Sequence, residues 1–281
     1  MNRSVPITLL RMLENWFCAC LSCVKWGHVL SYFYELKTGI RQGGVLSPLL
    51  FSIFMNRLVC AVNKEKLGCR IGISCCAIFM YADDVILLAP SVHALQTLVN
   101  ICEVELNYLD MAINVRKSAC LRFGSRYRNT CANVVVAGQH IEWVNSARYL
   151  GVYFESSFRF KCTFTRNKAN FYRSFNSIYG KIAHNASEEV LFELIRTKCV
   201  PVLLYGVECC PLNSSDIHSL QLTINKILFK MYGALSKDSF IDICDNFGIG
   251  IVKNVVASRR DKFVKRYSLS GNYLCKLIYS K

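Results

Sequence analysis

Two adjacent aspartates lie inside an apolar run, and this feature most limits what the chain can fold into. The run is IFMYADDVILL, residues 78–88, with Asp83 and Asp84 at its centre. Short apolar runs bounded by turn residues are typical of buried strands, but burying two unpaired carboxylates has a large cost in free energy. The pair must therefore lie in solvent, lose a charge by protonation, or be neutralised by a cation.

A solvated hairpin tip is the simplest of these three outcomes, and the spacing alone favours it. Against it, the segment has no Gly or Asn to form the usual two-residue turn, and its flanks are apolar. A divalent cation explains the composition better, because Mg²⁺ takes carboxylate oxygens and keeps waters for a phosphate ligand. Two such ions about 4 Å apart can activate a hydroxyl nucleophile and stabilise a leaving phosphate.

The charge of the chain indicates a polyanionic partner. The formal net charge is +15. Residues 1–147 carry 14 basic and 9 acidic side chains, whereas residues 148–281 carry 20 basic and 10 acidic ones. A basic half of this kind makes nucleic acid the first candidate. From charge alone, a basic surface that only keeps the protein soluble stays an open alternative.

The cysteine pattern argues against a structural zinc site or a disulfide framework, and the uncharged segments argue against a membrane span. Most of the sixteen cysteines fall inside apolar runs, where Cys acts as a small hydrophobic residue. Cys20 and Cys23 form one CxxC without a second pair at zinc spacing. We therefore predict reduced thiols, an intracellular protein and no structural zinc. The longest uncharged run, residues 85–102, contains Pro90 and several polar residues, so no membrane span is predicted.

Hydrophobic periodicity changes near residue 156, where we place a domain boundary. Before it, helices are predicted from Pro6 to Cys23, from Ser47-Pro48 and from Pro90-Ser91. Strands are predicted over 24–37, 71–88, 119–123 and 147–154, with a hairpin around Ala137-Gly138. After it, helices are predicted over 161–183, 187–200 and 216–232, and residues 258–266 are read as a basic helix or a solvated run.

Several motifs resemble those of one family. Tyr81-Ala82-Asp83-Asp84 resembles the YADD box of reverse transcriptases. GIRQGGVLSPLLF, residues 39–51, resembles the motif that precedes this box in reverse transcriptases of non-LTR (LINE-like) retrotransposons, and the order and separation fit. YLG, residues 149–151, resembles the box that grips the primer end, and VLLYGVE, residues 202–208, resembles a thumb-side segment. The resemblance covers about residues 5–230.

The resemblance implies a site for two-metal nucleotidyl transfer to a primer 3′-hydroxyl. Asp83 and Asp84 are the expected catalytic residues and Mg²⁺ ligands, with two ions in the intact enzyme. The primer end is expected to rest on Leu150 and Gly151. The expected contacts to nucleotide or template are Arg41, Gln42, Gly43, Gly44 and Lys117, the last lying with Asn114 and Ser118 in the position of the next motif.

For some of these residues a simpler interpretation stays open. Gly43 and Gly44 remove side chains where a backbone could approach a nucleotide closely, but they also suit an ordinary loop before a helix. Lys117 is either a cation for the incoming triphosphate or an exposed surface lysine. Arg41 likewise either contacts a backbone phosphate or is a solvated surface residue.

A basic segment free of acids lies between Glu155 and Glu188. Arg166 and Arg173 are two turns apart and share a helix face. The aromatic residues of this whole segment are interpreted as core rather than as platforms for bases. We predict that the following residues contact a nucleic-acid backbone without reading sequence, with binding that weakens as salt rises: Arg159, Lys161, Arg166, Lys168 and Arg173.

The predicted fold class is α+β. It comprises an incomplete right-hand polymerase palm, an antiparallel sheet with packed helices, followed by a mostly helical thumb and tail. We divide the chain into a partial palm over 1–155, a helical thumb over 156–235 and a basic helical tail over 236–281. The family site has a third aspartate on a strand that precedes the helix beginning near Pro6, so that strand and the fingers region are expected upstream of the sequence given. Neither Glu14 nor Glu35 matches the missing position.

The expected function is that of a fragment of an RNA-directed DNA polymerase from a non-LTR retrotransposon. The expected partners are an RNA template, a DNA primer or duplex, and dNTPs, with no membrane. Because one catalytic aspartate is missing, the chain alone is expected to be inactive. The first alternative is a catalytically inactive nucleic-acid-binding remnant, and the second is a maturase-like intron protein of the same fold.

Overall fold

The N-terminal region forms one helix and a small nested hairpin. A computed structural model describes residues 5–36, 43–182, 185–233 and 236–279. Helix α1 (Ile7–Cys18) is followed by four short strands: β1 (Leu21–Ser22), β2 (Lys25–Trp26), β3 (Val29–Leu30) and β4 (Tyr34–Glu35). The β2–β3 hairpin is enclosed by the antiparallel pair β1–β4. The predicted helix over Pro6–Cys23 therefore ends earlier, because residues 21–22 pair with β4.

The next segment folds two helices against short hairpins. Its elements are α2 (Ser47–Lys64), β5 (Cys69–Ile71), β6 (Ser74–Cys76), β7 (Ile78–Tyr81), β8 (Asp84–Leu87) and α3 (Val92–Tyr108). Leu58 and Val62 are four residues apart on α2, as Leu98 and Cys102 are on α3, so each pair lies on one helix face. These faces meet and bury Ile78 at the base of the β7–β8 hairpin.

The predicted start of α3 and the predicted Ala137-Gly138 hairpin are both confirmed. The Ser91 side chain caps α3 by accepting a hydrogen bond of 3.2 Å from the Ala94 amide. Strands β9 (Val134–Val136) and β10 (Gln139–Ile141) form the hairpin and pack on α3. The Gln96 side chain bonds both the amide and the carbonyl of Val135, each at 2.8 Å.

The strand predicted over residues 119–123 is wrong. Only two isolated bridges form there, from Cys120 to Trp143 and from Phe123 to Ser157. The Cys120 amide donates to the Glu142 carbonyl at 2.8 Å, which ties this segment to the connection after β10 rather than to a ladder. A 3₁₀ turn, Val115–Lys117, precedes it.

The second half begins with a sheet and continues as helices. Strands β11 (Ser146–Tyr149), β12 (Val152–Glu155) and β13 (Lys161–Thr163) form an antiparallel sheet in that order. The helices are α4 (Thr165–Ile182), α5 (Glu188–Leu194), a π-helical turn (Ile195–Cys199), α6 (Val200–Leu203), α7 (Ser214–Tyr232), α8 (Lys237–Asn246), α9 (Val252–Ser268) and α10 (Tyr273–Tyr279). The predicted helix over 161–183 therefore begins later, at Thr165, because β13 pairs with β12.

One hydrophobic core joins the sheet and helices of the second half. Phe171 and Phe175 of α4 are completely buried in it, and α9 enters it through Val252 and Val256. Residues 258–266, read from sequence as a basic helix or a solvated run, lie within α9. Two of its arginines are used for packing, since Arg259 donates to the Leu204 carbonyl at 2.7 Å and Arg260 to the Cys210 carbonyl at 2.8 Å.

The combination of helices with small antiparallel sheets confirms the predicted α+β class. The proposed boundary after residue 155 falls between β12 and β13, which belong to one sheet. The division into three segments stays a prediction. Within the described ranges, no helix combines the length and apolar character needed to cross a bilayer.

Gly68 gives a direct test of the packing below the β7–β8 hairpin. A Cβ added there would lie 2.4 Å from the Cα of Ala77, so Gly68→Ala forces the backbone to move. We expect the free energy of unfolding to fall by about 1–3 kcal/mol, as measured by urea denaturation. The matched control is Gly180→Ala on α4, where the added Cβ meets no described atom within 4 Å.

Gly180→Ala should raise the free energy of unfolding by about 0.5–1 kcal/mol, because alanine loses less backbone entropy in a helix. Equal unfolding midpoints for the two variants would contradict the close approach of Gly68 to Ala77.

Candidate active site

Asp83 and Asp84 lie at the tip of the β7–β8 hairpin. Tyr81 pairs with Asp84 across the ladder, so the loop consists of Ala82 and Asp83. Ala82 has a φ of 53°, the positive value that a tight two-residue hairpin turn needs. Both aspartates are exposed. The lack of Gly or Asn therefore does not prevent the turn, and both carboxylates are accessible at its tip.

The aspartate pair offers part of a metal site. Adjacent carboxylates supply hard oxygen donors that suit a divalent cation. Among the residues that the structure describes, no group of three or more His, Cys, Asp or Glu side chains could hold a metal ion. Glu14 of α1 and Glu35 of β4 therefore do not complete the pair. The described residues fit two ligands of such a site and do not provide a third carboxylate.

A second hairpin carries Tyr149, which lies within electrostatic range of Asp84. Burial raises the pKa of Tyr149, and the nearby negative charge of Asp84 raises it further. Tyr149 pairs with Val152, so the turn of the β11–β12 hairpin consists of Leu150 and Gly151. Their φ values of 46° and 83° correspond to a tight type I′ turn. The turn predicted to hold the primer end thus directly follows a residue on which Asp84 has an electrostatic influence.

The glycine pair before α2 has a conformational role. Gly43 has a φ of 80°, which a residue with a side chain adopts only under strain. A Cβ at this position would meet no described atom within 4 Å. Both interpretations of the pair, a loop before a helix and a surface for close approach, stay open. The predicted contact residues Arg41 and Gln42 lie outside the described residues.

Lys117 is presented by a capped turn. The Asn114 side chain accepts a hydrogen bond of 3.2 Å from the Lys117 amide, and the Ser118 hydroxyl donates to the Asn114 carbonyl at 2.9 Å. The three residues singled out from sequence therefore form one local unit. The Lys117 side chain is exposed, which both interpretations of this residue require.

The predicted basic face of α4 is exposed, but not all of its cations are equally available. Arg166 and Arg173 are exposed on α4, and Arg159 precedes β13. Lys161 forms an ion pair of 2.7 Å with Glu155, and Lys168 donates to the Ser219 hydroxyl at 2.9 Å. Arg173 also donates to the Asn170 side chain at 3.3 Å, so three of these five cations already have a polar partner within the protein.

The aromatic side chains of α4 form core, as the sequence indicated, whereas Phe158 and Phe160 before β13 are exposed, contrary to that interpretation. Phe164, Phe171 and Phe175 are buried in the helical half.

Two residues of the helical half were missed as functional candidates. Tyr205 contacts the Leu150-Gly151 turn, and Asn167 is a buried polar residue of α4. Tyr205 lies in the VLLYGVE segment that resembles the family, and Asn167 is a polar residue within an apolar stripe of α4. Each of these sequence features could have identified its residue as a candidate.

Comparison with known proteins gives consistent results. Residues 3–154 match the family described as reverse transcriptase (RNA-dependent DNA polymerase). The Pol polyprotein from the type-1 retrotransposable element R2 of Popillia japonica is 26% identical over 199 residues, which are 68% of this chain and 31% of that protein. The RNA-directed DNA polymerase from the mobile element jockey of Drosophila melanogaster is 22% identical over 263 residues, 86% of this chain and 27% of that protein.

The chain thus spans about a third or less of the length of these relatives. Reverse transcriptases use divalent metal ions and act on nucleic acid and nucleotides. The family match includes the YADD hairpin and ends within β12. Because it covers more than half of the 281 residues, the chain belongs to the reverse transcriptase (RNA-dependent DNA polymerase) family.

Proposed function

We propose that this chain forms palm and thumb regions of the RNA-directed DNA polymerase of a non-LTR retrotransposon. In the reaction, the primer 3′-hydroxyl attacks the α-phosphate of a dNTP, a new phosphodiester forms and pyrophosphate leaves. The observation that supports this most is the exposed aspartate pair at the tip of the β7–β8 hairpin, within the segment that matches the reverse transcriptase family. The similarity to the R2 and jockey proteins supports the element type.

Asp83 and Asp84 are proposed as Mg²⁺ ligands. Their exposure at a hairpin tip leaves the carboxylates open to a hydrated ion and to a triphosphate. When bound, Mg²⁺ supplies activation of the primer hydroxyl and neutralises charge on the phosphates. The protein's own contribution is position, because the base of the hairpin is buried between α2 and α3.

The remaining residues are proposed to orient the substrates. The Leu150-Gly151 turn supports the primer end with backbone groups, since glycine has no side chain to block approach. Lys117 places a positive charge at the triphosphate. Arg41, Gln42, Gly43 and Gly44 are proposed to contact nucleotide or template.

The exposed cations of the thumb are proposed to hold the template–primer duplex. Arg166 and Arg173 occupy one face of an aromatic-packed helix, and Arg159 extends the basic surface. Lys161 can exchange its partly exposed carboxylate partner for a phosphate at little cost, because ion pairs near the surface contribute roughly 0–1 kcal/mol. Lys168 is proposed to contact the backbone beside them. These contacts are independent of sequence.

A nucleic-acid-binding remnant without catalysis is the second candidate. It is favoured by one observation, that the described residues gather no group of three metal-binding side chains. Two carboxylates can bind a cation, but they cannot bridge and place two ions as three can. The two candidates share the basic thumb and differ only in chemistry.

The basic thumb predicts a salt-dependent affinity for an RNA–DNA duplex. Each phosphate contact contributes roughly one unit to the slope of log affinity against log salt, so the double variant Arg166→Gln/Arg173→Gln should lower that slope by about 2. The affinity should fall equally for unrelated duplex sequences. Fluorescence anisotropy between 50 and 200 mM salt, about the range over which such affinities change steeply, measures both quantities.

The matched control for this prediction is Arg196→Gln. Arg196 already pairs with Glu193 at 2.8 Å, so its loss should leave the salt slope unchanged. A slope near zero for the wild-type chain, or an equal loss in the control, would count against the thumb assignment.

The metal assignment predicts a specific loss of cation binding. Mn²⁺ can replace Mg²⁺ as a paramagnetic probe, and it should broaden the NMR signals of residues 81–85. Asp83→Asn should weaken this binding at least about fivefold, because a unit charge at about 4 Å contributes about 1 kcal/mol even in water. Asp261→Asn, at an exposed position of α9, is the control and should change nothing.

Primer extension tests whether the 281-residue chain catalyses polymerisation by itself. With an RNA template, a DNA primer, dNTPs and Mg²⁺, we expect no extension by the 281-residue chain, because its described residues hold only two of the carboxylates that two ions need. Extension that disappears in Asp83→Asn but persists in Asp261→Asn would refute this expectation and exclude the remnant.

A further inference from the structure

One tyrosine of the helical half contacts both residues of the Leu150-Gly151 turn. The Tyr205 hydroxyl donates a hydrogen bond of 3.0 Å to the Leu150 carbonyl. Its ring lies against Gly151, where an added Cβ would be 2.8 Å from the Tyr205 Cε1 atom. The two partners are 55 residues apart in the chain. Tyr205 therefore links the segment after α6 to the tip of the β11–β12 hairpin.

The turn that Tyr205 contacts is strained. Leu150 has a φ of 46°, a left-handed conformation that is unfavourable for a residue with a bulky side chain. Such conformations persist where surrounding contacts hold them. Its carbonyl is bonded by Tyr205, and the neighbouring Gly151 leaves room for the tyrosine ring. Any side chain at Gly151 would displace that ring.

Tyr205 is itself held from α4. The Asn167 side-chain amide donates to the Tyr205 carbonyl at 3.2 Å and lies 3.4 Å from the carbonyl oxygens of Val202 and Leu203. Asn167 is 8% exposed, so this amide has little access to water. A Cβ on the adjacent Gly206 would lie 2.9 Å from Val152, which shows how closely this segment packs on β12.

We propose that Tyr205 is a positioning residue for the primer end. It holds the Leu150-Gly151 turn at a fixed place relative to α4, through a continuous path from Asn167 to Leu150. This inference rests on the proposed function, in which the turn carries the primer end. Tyr205 does not contact the reacting atoms; it acts through the turn. The basic face of α4, which is proposed to bind the duplex away from the primer end, does not depend on the tyrosine hydroxyl.

Tyr205→Phe tests whether the hydroxyl fixes the Leu150-Gly151 turn, because it removes only the hydroxyl of a half-exposed side chain. Hydrogen exchange of the amides of residues 149–152 should become about fivefold faster, the factor that loss of one net hydrogen bond gives. The matched control is Tyr232→Phe, which removes a hydroxyl that donates to Glu188 at 3.0 Å in the same half. Exchange at 149–152 should stay unchanged in that control, and unchanged exchange in Tyr205→Phe overturns the proposal.

A photoreactive primer tests whether the fixed turn positions the primer end. A DNA primer ending in 4-thiothymidine, annealed to an RNA template, should crosslink to peptides containing residues 149–152 of the full chain. In Tyr205→Phe the yield should fall about fivefold, in line with the looser turn, while overall duplex affinity stays within about twofold because the thumb contacts are intact. A structural role without positioning would lower yield and affinity together.

The outcomes separate the two proposals. Faster exchange with unchanged crosslinking overturns the positioning role. Equal loss of crosslinking and affinity in both tyrosine variants overturns it as well. If the wild-type chain binds the duplex but its 149–152 peptides never crosslink, the placement of the primer end is wrong, and the positioning role falls with it even where the exchange result stands.

Discussion

Burial of the base of the β7–β8 hairpin is the constraint on which the candidate site depends. Ile78 is buried with Leu58 and Leu98, so α2 and α3 both pack against the base of the hairpin. The tip at Asp83 projects into solvent, where two adjacent negative charges repel each other weakly. An apolar segment can therefore carry two aspartates, because the cost of burying charge is avoided and the rigidity of a buried base is kept. The two carboxylates are tolerated in this apolar segment because the hairpin places them at its exposed tip.

The helical half is organised around contacts that are distant in sequence. Its core connects β12 with α4, α7 and α9, and the polar contacts of Asn167 and Tyr205 join the same pieces where they meet the sheet. The basic surface lies on the opposite side of α4 from Phe171 and Phe175. A nucleic acid bound there would lie over a continuous core, and its position would be transmitted to the β11–β12 turn through packed groups.

Local patterns in the sequence predicted the elements that depend on local chemistry. Ser91 predicted the start of α3 because a hydroxyl can cap a helix, and Ala137-Gly138 predicted a hairpin because glycine adopts positive φ. The YADD motif and the spacing of Arg166 and Arg173 were likewise readable without coordinates. These features identified the family and the composition of the candidate site.

The features that the sequence analysis missed depend on pairing between segments, which no single segment shows. The turn at Ala82 carries no glycine signal, and strand pairing imposes its positive φ. Strand β13 was read as helix because Lys161–Thr163 gains its extended form only from β12. The contact of Tyr205 with Leu150 spans 55 residues, and no periodicity of one segment contains it. Tertiary contacts override local propensity in each case.

The two arginines of α9 have a consequence for how the protein is made. Arg259 and Arg260 bond carbonyl groups of Leu204 and Cys210, which lie 55 and 50 residues earlier in the chain. During synthesis those carbonyls leave the ribosome first and have no arginine partner until α9 has been translated. At about 5–20 residues per second, this interval lasts several seconds. The helical half can therefore complete its folding only after translation of α9, whereas the YADD hairpin has all its packing partners much sooner.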